Sequence, residues 1–211
     1  EEDKMDTKLL TEKDIKEAAK IIKNGGLVAF PTETVYGLGA DAFDEEAVAR
    51  IYAAKGRPSD NPMIVHIARA SDIGQLTPML SADIVALIDN FWPGPLTMIF
   101  EKSEVVPYGT TGGLDTVAVR MPTDEVARAL IRAAGGFVSA PSANTSGRPS
   151  PTLAEHVAED LGGKIDMILD GGAVEIGLES TILDMTVTPP MILRPGAITA
   201  VSYTHLTLPT T

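Results

Sequence analysis

Positions 27–39 hold the most informative stretch of the chain, which runs LVAF and then PTETVYGLG. Its four apolar residues lie between Gly26 and Pro31, a pattern typical of a short buried strand. The next nine residues contain three hydroxyl side chains and two glycines. Because ligands of open α/β sheets bind beyond the carboxyl ends of strands, this segment is either a loop that binds a small polar ligand or a tight, capped connection. The residues alone leave both interpretations open.

Helix and strand patterns alternate through the rest of the chain. Helices are predicted over Thr11–Lys23, from the cap Asp44 to Gly56, over Ser81–Phe91, and from the cap Thr123 to Ala134. Strands are predicted over Met63–Ile67, Leu96–Phe100, Thr116–Met121, Phe137–Ala140, Met167–Leu169, Ser180–Leu183 and Met191–Leu193. This order indicates an α/β domain built on a mixed, twisted sheet.

The composition narrows the class of protein. The 211 residues include 29 acidic and 17 basic side chains, a formal net charge of −12, and no cysteine. The lack of cysteine excludes a disulfide framework, cysteine-based zinc sites and thiol catalysis. The acidic balance argues against broad, non-specific binding of nucleic acid. No apolar run approaches the roughly 20 residues of a membrane helix and no signal-peptide pattern opens the chain, so we expect a cytoplasmic protein without membrane contact.

Two further loops concentrate basic and hydroxyl side chains. In Lys55–Pro62, two prolines restrain the backbone, so Lys55 and Arg57 are presented together in a way that suits a phosphate chain. The alternative is a solvated helix end, where lysine is favourable in any case. The segment Ser139–Ser150 is dense in hydroxyl and amide groups, which fits either a binding site or a capped turn.

A fourth loop, Gly177–Thr181, is paired with Arg194 at the end of a predicted strand. Two polar residues within strands are weaker signals. A lone histidine such as His66, among apolar neighbours, is more often a core residue than a ligand or base, and Arg120 faces either solvent or a pocket. No P-loop, nucleophile elbow or histidine pair with metal-ligand spacing occurs. The residues alone therefore indicate a pocket suited to binding phosphate, without a covalent nucleophile. They do not indicate which reaction takes place there.

Taken together, the four loops resemble the Sua5/YrdC/YciO family. The resemblance covers about Thr11 to Thr199, and several motifs in the right order are far more specific than any one of them. It implies a single YrdC-like α/β domain, with a twisted open sheet of parallel and antiparallel strands, flanking helices and a concave ligand cleft. The matching segments are Phe30–Leu38, Lys55-Gly56-Arg57, Trp92–Thr97, Ser142-Ala143-Asn144 and Leu193–Gly196.

The resemblance also implies an activity. A nucleotidyltransferase of this family makes L-threonylcarbamoyl-AMP from L-threonine, bicarbonate or CO2, and ATP, with release of pyrophosphate. The product feeds tRNA processing: a downstream tRNA threonylcarbamoyl transferase complex modifies adenosine 37 of tRNAs that read ANN codons. Mg²⁺ would be bound through ATP, with no ligand from protein side chains and no organic cofactor. Since the nucleophile arrives with the substrate, the enzyme needs no cysteine or serine of its own.

The family pattern, carried over position by position, assigns the site. Lys55 and Arg57 would be catalytic. These assignments replace the core-residue interpretation of His66 and turn Arg120 toward the pocket. The residues implied for L-threonine are Thr34, His66, Arg120, Ala140 and Ser180. The residues implied for ATP are Lys55, Arg57, Asn61, Thr116, Ser142, Asn144, Ser150 and Arg194.

Two alternatives remain beside the synthase. One is a YciO-like paralogue with weak or no synthase activity, against which the intact Lys-x-Arg and Ser-x-Asn motifs argue. The other is an RNA-binding module with a weak tRNA contact, which the net charge disfavours. We expect an N-terminal extension over 1–10, a catalytic domain over 11–199, and an atypical, threonine-rich tail over 200–211. That tail is either non-native or the start of a truncated linker, because the longer Sua5 form carries a linker and a second domain.

Overall fold

The computed structural model describes residues 5–204, so 1–4 and the 205–211 part of the predicted tail lie outside the described residues. The strands are β1 Lys8–Thr11, β2 Val28–Phe30, β3 Gly37–Asp41, β4 Ile64–His66, β5 Leu96–Glu101, β6 Thr116–Arg120, β7 Val138–Ser139, β8 Met167–Asp170, β9 Thr181–Asp184 and β10 Met191–Arg194. The α-helices are α1 Ile15–Lys23, α2 Glu45–Lys55, α3 Ile73–Leu76, α4 Ala82–Phe91, α5 Tyr108–Thr111, α6 Glu125–Ala133, α7 Ala154–Leu161 and α8 Ala200–Thr204. None of these helices combines the length and the apolar character needed to cross a membrane.

The described strands form one mixed sheet in the order β1-β8-β2-β3-β7-β4-β6-β5-β9-β10. Strands β1 and β8, β8 and β2, β4 and β6, and β5 and β9 pair in parallel. The other neighbouring strands are antiparallel. The α/β class with a mixed open sheet and flanking helices, predicted from the sequence, is therefore confirmed.

Helices cover the two faces of this sheet unequally. Ala40 of β3 and Val65 of β4 are both register partners of Ser139 in β7, so they share a face. Helices α2 and α7 pack on one part of that face, and α3 and α4 pack on the rest. On the opposite face, α1 and α6 cover β8, β2 and β7. Beyond β7 this second face becomes the floor of a cleft, which is lined by residues of β4, β6, β5 and β9.

One correction concerns Gly37–Gly39, which the sequence analysis placed in a loop. These residues begin β3, which pairs antiparallel with β2. The glycines serve close packing: a Cβ at Gly39 would lie 2.7 Å from Cε1 of Phe30 and 2.8 Å from Cγ1 of Val138. A side chain is excluded there because the ring of Phe30 occupies its place.

A second correction concerns the start of α6. The sequence predicted Thr123 as the cap, but the carboxylate of Asp124 accepts the hydrogen bond from the Ala127 amide at 2.9 Å. Thr123 instead donates its amide and hydroxyl to Glu33, at 2.7 and 2.9 Å. Strand β1 was not predicted, and it brings residues 8–10 of the expected N-terminal extension into the sheet beside β8.

Candidate active site

A cleft of about 290 Å³ opens on the face of the sheet that α1 and α6 leave uncovered. Its floor follows from the alternation of side chains along a strand. In β6, Val117 and Val119 point into the core, whereas Ala118 and Arg120 line the cleft. His66 of β4 is the register partner of Arg120 and therefore lies beside it on the same face.

All four loops that the sequence analysis singled out form walls of this cleft. The first three loops lie at the end of the floor where β4 begins, and the fourth lies at the opposite end, next to Arg120, so the loops wall the cleft from both ends. Their lining residues are Thr32, Thr34 and Val35 from the first loop, Arg57, Asn61 and Pro62 from the second, Ala140, Pro141 and Ser142 from the third, and Glu179, Ser180 and Arg194 from the fourth.

The structure thus brings together most of the residues assigned from the family resemblance. Those that line the cleft are Thr34, Arg57, Asn61, His66, Arg120, Ala140, Ser142, Ser180 and Arg194. Those that do not are Lys55, Thr116, Asn144 and Ser150.

Arg120 is the most heavily engaged side chain of the lining. Its Nη1 donates to Oγ1 of Thr34 at 2.8 Å and its Nε donates to the carbonyl oxygen of Gly94 at 3.4 Å. Its Nη2 forms a buried ion pair with Glu33. Burial, followed by the charge of Arg194, lowers the pKa of Arg120 to about 9. The guanidinium therefore remains charged at neutral pH.

His66 is both buried in the sheet and part of the cleft lining. Its Nδ1 lies 3.1 Å from the carbonyl oxygen of Ile64, to which it donates in the neutral tautomer that carries the proton there. Burial lowers the pKa of His66 to about 4, so the ring is neutral at pH 7. The edge of the ring packs against Phe30, with centroids 6.2 Å apart. The cleft thus holds one charged and one neutral nitrogen-bearing side chain next to each other.

A chain of hydrogen bonds runs along the opposite wall. Arg194 donates from Nε to the carbonyl oxygen of Ser180 at 3.0 Å and from Nη2 to Oγ of Ser180 at 3.2 Å. Its Nη1 pairs with Glu179 at 2.7 Å, and Ser150 donates to the other oxygen of Glu179 at 2.8 Å. Ser150 therefore acts on the cleft through Glu179.

Lys55 lies beneath the third loop. Its side chain is buried, and its ammonium donates to the carbonyl oxygen of Ser142 and, at 2.6 Å, to that of Asn144. Burial, followed by the charge of Arg57, lowers the pKa of Lys55 to about 8. The amide of Asn144 holds the same loop by donating to the carbonyl oxygens of residues 145 and 148, both at 2.9 Å. Lys55 and Asn144 thus shape the loop that presents Ser142 to the cleft.

Arg57 lies at the rim, half-exposed. Its Nη2 donates to the carbonyl oxygen of Pro62 at 2.9 Å and its Nε to that of Asn61 at 3.4 Å. Burial lowers the pKa of Arg57 below its usual range. Within residues 5–204 it forms no ion pair, in contrast to Arg120 and Arg194. Of the three cleft arginines it is the one whose charge is free to meet an anion.

Sequence reasoning missed two acidic residues of this site, Glu33 and Glu179. Both lie inside loops that the sequence analysis had singled out, yet neither received a role. The signal that could have identified Glu33 is a carboxylate between two threonines, three residues after a buried strand. Thr116, which does not line the cleft, begins β6 opposite Glu101.

The chain matches the family model Sua5_yciO_yrdC, described as "Telomere recombination", over residues 20–196. It belongs to the Sua5/YciO/YrdC family. The matched range contains all four loops and the whole cleft. The family predicted from the motifs is therefore confirmed.

Several similar relatives are curated as threonylcarbamoyl-AMP synthases. The one from Pyrococcus abyssi is 58% identical over 184 residues, and the one from Bacillus subtilis is 53% identical over 186 residues. These matches cover 87% and 88% of this chain but 54% of each relative. The chain thus spans about half the length of these curated relatives. A putative threonylcarbamoyl-AMP synthase of Mycobacterium tuberculosis is 40% identical over 86% of this chain and 83% of its own length.

Solved structures agree with this assignment of the family. The crystal structure of P. abyssi Sua5 complexed with L-threonine matches with a TM-score of 0.92 and 52% identity, over 95% of this chain and 60% of that chain. Escherichia coli YciO matches with a TM-score of 0.83 at 22% identity, which shows the fold alone. The YrdC-like fold implied by the motifs is confirmed.

Proposed function

We propose that this chain synthesises L-threonylcarbamoyl-AMP from L-threonine, bicarbonate or CO2, and ATP, with release of pyrophosphate. The observation that carries the proposal is the shared cleft. Residues assigned to L-threonine, such as His66 and Arg120, line the same cavity as Arg57 and Arg194, which are assigned to the nucleotide. Relatives named for this activity, and a Sua5 structure that holds L-threonine, support it.

The side chains of the cleft suit an amino acid with a hydroxyl group. The charged guanidinium of Arg120 is the partner for the α-carboxylate. Thr34 and Ser180 offer hydroxyls that both donate and accept. The neutral ring of His66 adds a polar contact without a second positive charge. A site of this kind holds the α-carboxylate and the hydroxyl of threonine, and its nitrogen can react once the ammonium has lost a proton.

The reaction needs no nucleophile from the protein. The ammonium of threonine first loses a proton to solvent. Its nitrogen then attacks the carbon of CO2, so that a C–N bond forms as one C=O π bond breaks, and a second proton passes from nitrogen to solvent, which leaves an N-carboxylate. One oxygen of that carboxylate then attacks the α-phosphorus of ATP, and the bond from this phosphorus to the bridging oxygen breaks to release pyrophosphate. The protein acts by holding the two substrates together and by offsetting negative charge with Arg57 and Arg194. Lys55 supports this indirectly, through the loop that carries Ser142.

We further propose that Mg²⁺ enters with the triphosphate of ATP. Among residues 5–204, no group of three or more histidine, aspartate or glutamate side chains is placed to hold a metal ion. When bound, Mg²⁺ would offset charge on the phosphate oxygens. The adenylate would pass to a tRNA threonylcarbamoyl transferase complex, and we place these steps in the cytoplasm.

The test is to incubate the protein with ATP, Mg²⁺, bicarbonate and L-threonine and to detect threonylcarbamoyl-AMP by mass spectrometry. Omission of threonine should remove the product. Arg57→Ala should lower threonine-dependent pyrophosphate release about 100-fold, roughly 2.7 kcal/mol, since it removes the unpaired cation of the cleft. Its melting temperature should be unchanged, because Arg57 lies at the rim and contacts only backbone oxygens of its own loop.

The matched control is Arg132→Ala, which removes an exposed arginine from the last turn of α6 and should leave release unchanged. Lys55→Ala should also abolish release, but with a lower melting temperature, since two buried carbonyl oxygens lose their donor. Near-normal release by purified Arg57→Ala would contradict the proposed role of the cleft.

A further inference from the structure

Glu33 is a buried carboxylate next to the cleft whose two oxygens face different parts of the molecule. Its Oε2 accepts hydrogen bonds from the amide and hydroxyl of Thr123, at 2.7 and 2.9 Å, and from the amide of Asp124 at 3.3 Å. Its Oε1 pairs with Nη2 of Arg120. Both partners of this ion pair are 4% exposed. Glu33 therefore connects the start of α6 to the guanidinium of the cleft.

The support on the α6 side makes this carboxylate rigid. Three donors hold a single oxygen, and two of them are backbone amides. They lie at the start of α6, where the helix dipole favours negative charge. This oxygen is therefore anchored independently of Arg120.

The guanidinium of Arg120 is fixed on several edges. A guanidinium has five N–H groups. The N–H on Nε is taken by Gly94 and one on Nη1 by Thr34, and Nη2 forms the ion pair with Glu33. If one N–H of Nη2 is assigned to the ion pair with Glu33, two N–H groups are left within the described residues, one on each terminal nitrogen. Two N–H groups on one guanidinium are what a carboxylate accepts in a bidentate pair.

We propose that Glu33 is a positioning residue that orients Arg120 so that its two free N–H groups meet the α-carboxylate of the substrate amino acid. Glu33 thereby makes the cleft select a free carboxylate over the corresponding amide. The inference rests on the proposed function, since it assumes that the cleft binds L-threonine. Without the charge of Glu33, the buried guanidinium would keep its contacts with Thr34 and Gly94 but lose its counter-ion, so Nη2 could turn toward other acceptors and the selectivity would fall.

The test compares the dissociation constants of L-threonine and L-threoninamide, measured by calorimetry, in the wild type and in Glu33→Gln. The glutamine keeps the shape and still accepts from Thr123, but it lacks the charge that holds Arg120. We expect L-threonine to bind about tenfold more weakly and L-threoninamide to change little, so that the ratio of the two constants falls about tenfold. The KM for ATP should stay the same.

Thr123→Ala is the matched control. It removes a hydroxyl that bonds the same oxygen of Glu33 but leaves the ion pair with Arg120. If Glu33 only secures α6, both variants should weaken the two ligands equally, and that result would overturn the inference. Should Glu33→Gln fail to fold, Glu33→Asp shortens the contact while keeping the charge, and an unchanged ratio there would overturn it as well.

The proposed function and this inference fail in different ways. If the wild type does not bind L-threonine, the proposed function is wrong and the inference falls with it. If the wild type binds L-threonine and Glu33→Gln keeps the wild-type ratio, the inference alone is wrong.

Discussion

The two halves of the sheet are built from the same alternation of side chains but bury them differently. In β2, the neighbouring residues Val28 and Ala29 point to opposite faces, and both are fully buried because helices cover both sides. In β6, Val119 is fully buried in the core, whereas its neighbour Arg120 points into the cleft. The sandwiched half, β8, β2 and β3, is held by apolar contact on both faces. The cleft half, from β4 to β10, replaces one of these layers with polar side chains.

This difference shows where the fold can hold chemistry. A sheet face without a helix lets guanidinium and imidazole groups project from rigid strands, and nearby loops supply their partners. The charges that result are not left alone: Arg120 pairs with Glu33, and Arg194 pairs with Glu179. On the cleft face, hydrogen bonds and ion pairs thus stabilise the side chains, whereas apolar packing stabilises the corresponding face of the sandwiched half.

The largest expected effect contrasts apolar truncation in the two halves. Leu130→Ala should lower the free energy of unfolding by about 2–5 kcal/mol, because Leu130 is fully buried between α6 and α1. Ile182→Ala, on the half-buried floor of the cleft, should cost about 1 kcal/mol or less. Urea denaturation of both variants measures the difference. Equal losses would show that the cleft half depends on apolar packing as much as the sandwiched half does.

A second test addresses β3, at the border between the halves. Gly39→Ala should cost about 1–3 kcal/mol, since its Cβ would overlap Phe30 and Val138. Gly37→Ala in the same strand should be close to neutral, because its Cβ would lie 3.3 Å from the Cβ of Ala140, a contact that a small shift relieves. Thermal unfolding of the pair measures both changes. A neutral Gly39→Ala would remove the packing explanation for this glycine.

A third test concerns pH and His66. Burial lowers the pKa of His66 to about 4 in the folded protein, against an ordinary value of 6.5. As the pH falls below 6.5, the unfolded chain takes up a proton that the folded protein excludes, so stability is lost. Between pH 7 and 5 this amounts to about 2 kcal/mol. His66→Gln should lack that part of the loss when unfolding is measured at both pH values.

His156→Gln, on the exposed side of α7, is the control and should keep the pH dependence of the wild type. If His66→Gln loses as much stability as the wild type between pH 7 and 5, then His66 is not the group responsible. Because His66 is buried in the cleft half, the size of this pH effect also measures how strongly water is excluded from its surroundings in the folded protein.

Much of this fold was predictable from the sequence, and the exceptions have physical causes. Asp44 caps α2 and Gly56 ends it as the pattern predicted, since both depend on neighbours within one turn. Strand β1 was missed because its pairing uses backbone groups of β8, which leave little trace in the side chains. The strand character of Gly39 depends on Phe30 across the sheet, which is a tertiary contact.

The site was predictable in its residue types but not in its connections. The motifs located all four loops, and most of the assigned residues line the cleft. The sequence does not show which groups form ion pairs or hydrogen bonds with each other. Glu33 with Arg120, and Lys55 with the carbonyl oxygens of residues 142 and 144, are contacts between segments that lie far apart along the chain. Periodicity and caps carry no information about such contacts.

The pair between Arg194 and Glu179 gives the cleft its own counter-ion. An anion that binds Arg194 must first displace the carboxylate of Glu179. A ligand with one negative charge gains little binding free energy from that exchange. A polyphosphate that reaches Arg57 and Arg194 together gains a second contact that Glu179 does not provide. Under the proposed function, this wall would disfavour simple anions and favour multivalent ones, so that selection by valence would precede recognition of the nucleotide base.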